Sequence, residues 1–238
     1  MANRTYLISA PAQRQVVRAL LDDIIRGTYP AGECLPPERE LCQTLSTSRT
    51  TLRESLRIIE EMGAVRSRRG SGVWVEPAES WYLEVLPFYL AAQIKEGKDV
   101  RPLIADILGL RRELIFTLLR LVGPKCRPGD LDDARTLTAE AWAARESYSV
   151  FVERTLASWR ACALAVDHRP ALWVVNSLQR VFAAVGDVIS SQARVPRGYL
   201  EVHMKIYTLL ERGDADAAIG VMRPYYERHD ELAVAALD

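Results

Sequence analysis

Arginines recur at every fourth position in one short segment of the chain. Arg49, Arg53 and Arg57 have this spacing, and on a helix they form one stripe because successive residues are about 100° apart. A helix fits the major groove of B-DNA, where a guanidinium group can donate two hydrogen bonds to guanine O6 and N7. Thr50 lies beside the stripe, and a threonine can contact a phosphate or a thymine methyl group. The pattern favours recognition of duplex DNA.

A solvated helix face is the alternative interpretation of the same stripe. Arg57 is placed to pair with Glu60 or Glu61 at helical spacing. Against this, six arginines and three glutamates give residues 49–69 a net charge of +3, although the whole chain has a formal net charge of zero. This excess predicts one local basic patch and excludes a uniformly basic nucleic-acid binder.

A second group of arginines lies in the segment Arg-Arg-Gly-Ser-Gly at residues 68–72. Alternating residues at 65–68 and apolar residues at 73–75 flank these glycines, which predicts a short β-hairpin with a tight turn. Arginines at the tip of a hairpin suit the minor groove of DNA, whose negative potential attracts them. Taken alone, each of these features is also common on an ordinary protein surface.

The segments before the hairpin predict three helices. Apolar residues at helical spacing predict the first over residues 12–27, and Pro36–Pro37 opens the second, which ends at Leu45. Ser48 is placed to cap the third helix, which carries the arginine stripe and ends at Gly63. Three helices followed by a hairpin are typical of a winged helix-turn-helix domain, in which the first turn of the recognition helix reaches base edges.

The chain after residue 80 shows no strand-like alternation and is predicted to be helical. Glycine and proline residues divide it into helices near residues 81–94, 99–121, 129–147, 149–167, 170–191, 197–212 and 214–236. The sequence therefore predicts a mainly α protein, with an N-terminal winged helix-turn-helix domain and a C-terminal all-α bundle of about seven helices. The predicted boundaries are 8–77 for the DNA-binding domain, 78–98 for a linker with the first helix, and 99–238 for the helical domain.

Most of residues 12–76 resemble the winged-helix domain of GntR-family bacterial transcription regulators. The matching residues are Leu35-Pro36-x-Glu38-Arg39-Glu40-Leu41, Ser48-Arg49-Thr50-Thr51-Leu52-Arg53-Glu54, Gly63 and Arg69-Gly70-x-Gly72-x-x-Val75. By this resemblance, the DNA-contacting residues are Arg39, Ser48, Arg49, Thr50, Thr51, Arg53, Arg69, Gly70 and Ser71. The family binds palindromic double-stranded DNA as homodimers, so the two-fold symmetry of the protein matches that of the operator.

The helical part resembles the FadR subgroup of the same family, in which this domain dimerises and binds an effector. Polar residues that interrupt its apolar helices are the candidates for an effector-binding site, namely Arg111, Arg160, His203, Tyr225 and His229. An arginine inside a bundle pairs with a carboxylate or phosphate, either from the protein or from an effector. A single histidine on an apolar helix, as at His203, is also compatible with a core residue whose hydrogen bonds are satisfied.

Many members of the FadR subgroup hold a metal ion with an aspartate, a histidine four residues later and two further histidines. The resemblance places the first pair at Leu156 and Arg160, the third ligand at His203 and the fourth at Tyr225. One histidine among four ligand positions cannot hold a divalent ion firmly, so no metal or other cofactor is expected. We expect Arg160 to replace the charge of the cation and to bind an acidic effector directly.

The leading functional prediction is a repressor that binds its operator as a homodimer and responds to a small acidic metabolite such as a carboxylate. A fatty acyl-CoA is the alternative effector, although Tyr226, His229 and Asp230 stand in the last helix where the resemblance implies small residues. A second alternative is a DNA-binding protein that needs no effector. No enzyme is expected, because the chain contains no GxSxG, HExxH or P-loop motif and its three histidines are widely separated.

The composition excludes a membrane-spanning class. The longest uncharged apolar stretches are about ten residues, whereas a membrane span needs about twenty. The first residues lack an apolar core followed by a cleavage signal, so a cytoplasmic location without membrane contact is expected. Cys34, Cys42, Cys126 and Cys162 show no CxxC spacing and are expected to be reduced.

Overall fold

The computed structural model of the chain describes residues 10–189, 195, 197–235 and 237. The chain divides into two compact units, Met1–Asp99 and Val100–Asp238. The predicted domain start at residue 8 and the predicted helix ends at residues 191 and 236 lie outside the described residues.

The first unit begins with the predicted helices and hairpin. Its elements are α1 (Pro11–Ile25), α2 (Glu38–Thr44), α3 (Arg49–Glu61), β1 (Val65–Arg68) and β2 (Gly72–Val75). The strands are antiparallel, with Val65 opposite Val75 and Arg68 opposite Gly72. The order of elements predicted for a winged helix-turn-helix domain is confirmed.

The apolar stripes of α1 and α3 form the core of this unit. Val17, Leu20 and Leu21 of α1 are fully buried, as are Leu52 and Ile59 of α3. Burying a side chain of this kind stabilises a fold by about 1.5–3 kcal/mol. Because the leucine stripe of α3 faces the core, its arginine stripe faces solvent.

A fourth helix, α4 (Leu86–Lys95), also belongs to the first unit. Two short 3₁₀ turns, Ala78–Ser80 and Leu83–Val85, precede it where the sequence predicts one helix over residues 81–94. The helix packs against α1, and Lys95 Nζ lies 2.9 Å from Asp22 Oδ2. The assignment of residues 78–98 to a linker with the first helix stays a prediction.

The second unit is a helical bundle. Its helices are α5 (Arg101–Val122), α6 (Asp132–Ala143), α7 (Tyr148–Ala165), α8 (Arg169–Ile189), α9 (Tyr199–Glu211) and α10 (Ala215–Ala235). Large side chains fill its centre, since Phe116, Leu119, Tyr207, Leu210 and Met222 are fully buried. Among the described residues, seven helices follow the hairpin, which confirms the mainly α class. None of the helices described is long and apolar enough to cross a membrane.

Candidate DNA-binding surface and effector cavity

The first turn of α3 carries exposed polar side chains. Arg49 and Thr50 are exposed, and Ser48 occupies the N-cap position. The Ser48 Oγ accepts a hydrogen bond from the Thr51 backbone N–H at 3.1 Å and lies 2.9 Å from the Thr51 Oγ1. Ser48 and Thr51 therefore fix the turn that presents Arg49 and Thr50 to solvent.

Ion pairing divides the arginines of this surface into two groups. The Arg53 Nε donates to both carboxylate oxygens of Glu38 at 3.0 Å. This hydrogen bond, together with the charge of the Glu38 carboxylate, raises the pKa of Arg53 above its ordinary value. The arginines without an ion pair among the described residues include Arg39, Arg49 and Arg69. Their charges are available to an external anion, whereas the charge of Arg53 is already matched.

The hairpin is fastened to α3 by one carboxylate. Glu60 accepts a hydrogen bond from the Ser67 backbone N–H at 2.6 Å through one oxygen and from the Ser67 Oγ at 3.0 Å through the other. Hydrogen bonds to an ionised acceptor are about twice as strong as those between neutral groups. The recognition helix and the first strand of the hairpin are therefore directly coupled.

Two glycines with positive φ form the turn of the hairpin. The φ angle is +75° at Gly70 and +90° at Gly72, a region that side chains disfavour. The Trp74 Nε1 donates to the Ser71 backbone oxygen at 3.0 Å, and the Arg68 guanidinium carbon lies 4.7 Å from the centroid of the Trp74 ring. Trp74 thus orients both the tip backbone and Arg68, an arginine outside the predicted contact set.

The nine residues predicted to contact DNA all lie in the first unit. Eight of them are exposed, and Thr51 is half-buried beside its cap. They occupy α2, the first turns of α3 and the tip of the hairpin. This placement is compatible with contact to two grooves, and the role of each residue stays a prediction.

A cavity of about 60 Å³ lies inside the second unit. Residues from α5, α7, α8, α9 and α10 line it, and the polar ones include Arg111, Thr155, Trp159, Tyr225 and His229. Most of the remaining lining side chains are aliphatic or aromatic. Polar groups at a few positions of an apolar cavity are typical of small-molecule sites.

One carboxylate of α10 holds two arginines of α5. Asp230 Oδ1 lies 2.7 Å from the Arg111 Nη2, and Asp230 Oδ2 lies 2.6 Å from the Arg112 Nη1. Burial alone would raise the pKa of Asp230, but hydrogen bonding to His229 and the charges of Arg111, His229 and Arg112 hold that pKa below its ordinary value. Asp230 is therefore ionised in the folded protein at neutral pH, and it fixes the guanidinium group of Arg111.

Several buried polar atoms on the cavity lining have no hydrogen-bond partner among the described residues. They include the Arg111 Nε, the Trp159 Nε1 and the Tyr225 hydroxyl oxygen. Burial raises the pKa of Tyr225 far above neutrality, so its hydroxyl group stays protonated and can donate. An unsatisfied buried polar group costs about 1–3 kcal/mol. A cationic N–H and a neutral O–H on one cavity form a donor pair suited to an anion.

His203 is buried behind the cavity rather than on its lining. Its Nδ1 lies 2.7 Å from the Tyr199 backbone oxygen, which can only accept, so Nδ1 carries the proton. The Nε2 then accepts from the Tyr226 hydroxyl group at 3.2 Å. Burial lowers the pKa of His203 to about 4. His203 is therefore a neutral core histidine with both nitrogens satisfied, and it positions Tyr226.

Arg160 does not meet the other predicted effector residues. Its Nε donates to the Asn176 Oδ1 at 2.8 Å, and Arg160 is not part of the cavity lining. The α7 residues that line the cavity include Thr155, Leu156 and Trp159. Of the expected pair, Leu156 lines the cavity and Arg160 does not, so an effector contact from Arg160 stays a prediction without support from this cavity.

The residues around His203 do not fit a metal ion. On α7 and α10, Thr155, Trp159 and Tyr225 are poor ligands for a divalent cation, and His229 alone among the lining residues of these two helices is of a usual ligand type. Both nitrogens of His203 already have partners. Within the part of the chain that the structure describes, no group of three histidine, cysteine, aspartate or glutamate residues could hold an ion.

A winged helix-turn-helix domain with exposed arginines on its recognition helix and wing defines a DNA-binding regulator. Residues 12–75 match the family model described as bacterial regulatory proteins of the gntR family. The N-terminal domain of the chain is therefore a DNA-binding domain of the GntR type.

Three regulators show how the chain relates to known proteins. It is 30% identical to "Uncharacterized HTH-type transcriptional regulator Rv0494" of Mycobacterium tuberculosis over 119 residues, which are 50% of this chain and 47% of that protein. It is 27% identical to the galactonate operon transcriptional repressor of Escherichia coli over 213 residues, covering 86% of this chain and 89% of that protein. It is 24% identical to the fatty acid metabolism regulator protein of Edwardsiella ictaluri over 206 residues, covering 87% and 84%. The match to the first of these relatives spans less than half of its length.

A solved structure supports the fold. It is described as "Lar controls the expression of the Listeria monocytogenes agr system and mediates virulence", and it matches with a TM-score of 0.60 at 15% identity. The match covers 95% of this chain and 97% of the other. The relatives are named as regulators, which supports a non-enzymatic role at the level of the family.

Proposed function

We propose that this chain is a repressor that binds a palindromic operator as a homodimer and that releases it when a small carboxylate binds to the second unit. The effector part is carried by one observation. Arg111 Nε and the Tyr225 hydroxyl group are buried donors on one cavity and lack a partner among the described residues. The DNA part rests on the exposed arginines of α3 and of the hairpin.

The geometry of α3 supports base recognition by its first turn. Arg49 and Thr50 are exposed and unobstructed by ion pairs, and the cap at Ser48 fixes their backbone. Arg39 and Arg69 supply further unmatched charges for phosphates or for the minor groove. Arg53 contributes once DNA phosphate competes with Glu38 for its guanidinium group.

Replacing single arginines of α3 tests the DNA part. Arg49→Ala should weaken operator binding about 5- to 150-fold, because a bidentate contact to a base is worth about 1–3 kcal/mol. Arg57→Ala is the matched control, since Arg57 lies on the same stripe but pairs with Glu61 at 3.3 Å. Fluorescence anisotropy on duplex DNA from upstream of the gene measures both variants. An equal loss in the two variants would contradict base recognition by the first turn.

A carboxylate satisfies both donors of the cavity. One oxygen accepts from Arg111 Nε and the other from the Tyr225 hydroxyl group, which relieves the desolvation cost of both. The cavity volume of about 60 Å³ corresponds to roughly two water volumes of ~30 Å³ each, enough for a carboxylate group. The ligand changes operator affinity only if it binds one arrangement of the dimer more tightly than the other.

The names of two relatives agree with an acidic effector. One is named for a galactonate operon and the other for fatty acid metabolism, and both names refer to carboxylic acids or their metabolism. A fatty acyl-CoA therefore remains the second candidate for this chain. A cavity of about 60 Å³ does not hold the coenzyme, so such a ligand would keep its nucleotide part outside.

Tyr225→Phe tests the effector part with little risk to the fold. The hydroxyl group has no partner among the described residues, so its removal breaks no hydrogen bond and the melting temperature should not fall below that of the parent. Affinity for a carboxylate should fall about 10- to 150-fold, because a hydrogen bond to a charged group contributes about 1.5–3 kcal/mol. Tyr82→Phe is the control, because Tyr82 is exposed in the first unit. If no carboxylate alters either operator affinity or melting temperature, the chain binds DNA without an effector.

A further inference from the structure

A second and larger cavity lies beside the first in the second unit. Its volume is about 270 Å³, and residues of α5, α7 and α8 line it. Five side chains, including Arg111, Leu156 and Trp159, line both cavities. The larger cavity therefore adjoins the cavity that holds the donor pair on Arg111 and Tyr225.

The lining of the larger cavity is almost entirely hydrocarbon. We call it the apolar annex and define it by Leu118, Ala171, Val174, Val175 and Leu178. Burial of apolar surface favours binding by about 25 cal/mol per Å². The annex therefore suits a hydrocarbon group, and it has almost no hydrogen-bond partners for a chain of hydroxyl groups.

Charges restrict the ligand further. Among the described residues that line the annex, Arg111 is the only one that carries a permanent charge. His168 on that lining accepts a hydrogen bond from the Ala171 backbone N–H at 3.3 Å, which fixes its ring at the start of α8. A second carboxylate, or a phosphate, would lose its hydration there without gaining a cation.

We infer that the effector is an amphipathic monocarboxylic acid whose carboxylate binds Arg111 and Tyr225 and whose hydrocarbon tail fills the apolar annex. This inference rests on the proposed function and adds the chemical class of the ligand. A volume of about 270 Å³ equals roughly nine water volumes, which corresponds to a tail of about eight carbon atoms. Sugar acids and dicarboxylic acids are excluded by the same lining.

Titration calorimetry with sodium salts of straight-chain acids tests the inference. Affinity should rise about fourfold for each methylene group from butanoate to octanoate, since each buried methylene contributes a fixed increment. Octylamine has the same tail with the opposite charge, and it should bind at least tenfold more weakly than octanoate because of Arg111. If octanoyl-CoA binds and octanoate does not, the assignment of the effector as a free acid is overturned.

A substitution at the rim of the annex tests binding of the hydrocarbon tail independently of binding of the carboxylate. Val174 lines the annex and is 52% exposed, so Val174→Phe can fill the space without disturbing the core. It should weaken octanoate binding at least tenfold and leave butanoate binding within twofold. Trp173→Phe is the matched control, because Trp173 is the exposed neighbour on α8 and is not part of the lining.

The outcomes distinguish failure of this inference from failure of the proposed function. If butanoate and octanoate bind equally well, or if Val174→Phe leaves octanoate binding unchanged, the tail site is refuted while the carboxylate site stands. If neither the parent nor Tyr225→Phe binds any acid of the series, this inference and the carboxylate site are both refuted, while the DNA-binding part of the proposed function stands.

Discussion

We expect Asp230→Asn to destabilise the second unit, because it removes a buried carboxylate that two half-buried arginines share. The oxygens of Asp230 lie 2.7 Å from Arg111 and 2.6 Å from Arg112, and the Asp230 side chain is only 10% exposed. Removing one partner of a buried ion pair costs about 3–5 kcal/mol, since it leaves an uncompensated charge. Asparagine keeps one acceptor oxygen, which places the expected loss near the lower limit, at about 3 kcal/mol.

This loss should appear as a lower melting temperature. For a chain of this size, about 3 kcal/mol corresponds to a shift of about 6–12 °C, which differential scanning calorimetry of the full chain resolves. Glu231→Gln is the control on the next position of α10, where the side chains of Glu231 and its partner Arg228 are 68% and 70% exposed. That variant should shift the melting temperature by about 1 °C or less. Equal shifts in the two variants would refute the structural importance of the Asp230 contact.

The pH dependence gives an independent check of the same contact. The pKa of Asp230 is lower in the folded protein than its ordinary value. Its stabilisation is therefore complete above the unfolded pKa near 3.9 and is lost as the pH falls through the folded pKa. Between about pH 5 and pH 3 the parent should lose stability more steeply than Asp230→Asn, which has no carboxyl group there to protonate.

Three further substitutions test the DNA-binding unit. Glu38→Gln should free Arg53 to contact a DNA phosphate. A plot of log affinity against log salt concentration, measured by anisotropy, should then become steeper by about 0.9. An unchanged slope would contradict the added phosphate contact. Gly72→Ala places a Cβ 2.7 Å from the Cys34 Sγ at a φ of +90°, so operator binding should fall while α-helical circular dichroism is retained. Ser48→Ala removes the cap of α3 and should lower the free energy of unfolding by about 1 kcal/mol in urea titration.

The DNA-binding surface was accessible to sequence reasoning because it depends on local periodicity. The spacing of Arg49 and Arg53 against Leu52 and Leu56 fixes which face of α3 is buried, and the burial of both leucines agrees with it. The alternative interpretation was also partly right, since Arg57 pairs with Glu61 in solvent. No local pattern assigns α4 to the first unit, because that depends on its packing against α1.

The cavity was harder to predict because it depends on the packing of several helices. Neighbouring positions on a helix differ in direction by about 100°, so Trp159 lines the cavity whereas Arg160, one position further on, pairs with Asn176. A signal was available, since Thr155, Trp159 and Cys162 follow helical spacing on α7, and the last two of them are buried. That stripe marks the inward face, and Arg160 stands beside it.

The coupling of α3 to the hairpin through Glu60 and Ser67 limits how this protein accommodates different DNA shapes. The two oxygens of Glu60 take both polar groups of Ser67, so the helix and the strand keep a constant angle and separation. A half-site whose groove width differs from that separation must then be deformed to fit, and the elastic energy of this deformation is stored in the DNA. Operator variants that change only base pairs outside direct contact should consequently differ in affinity according to their flexibility.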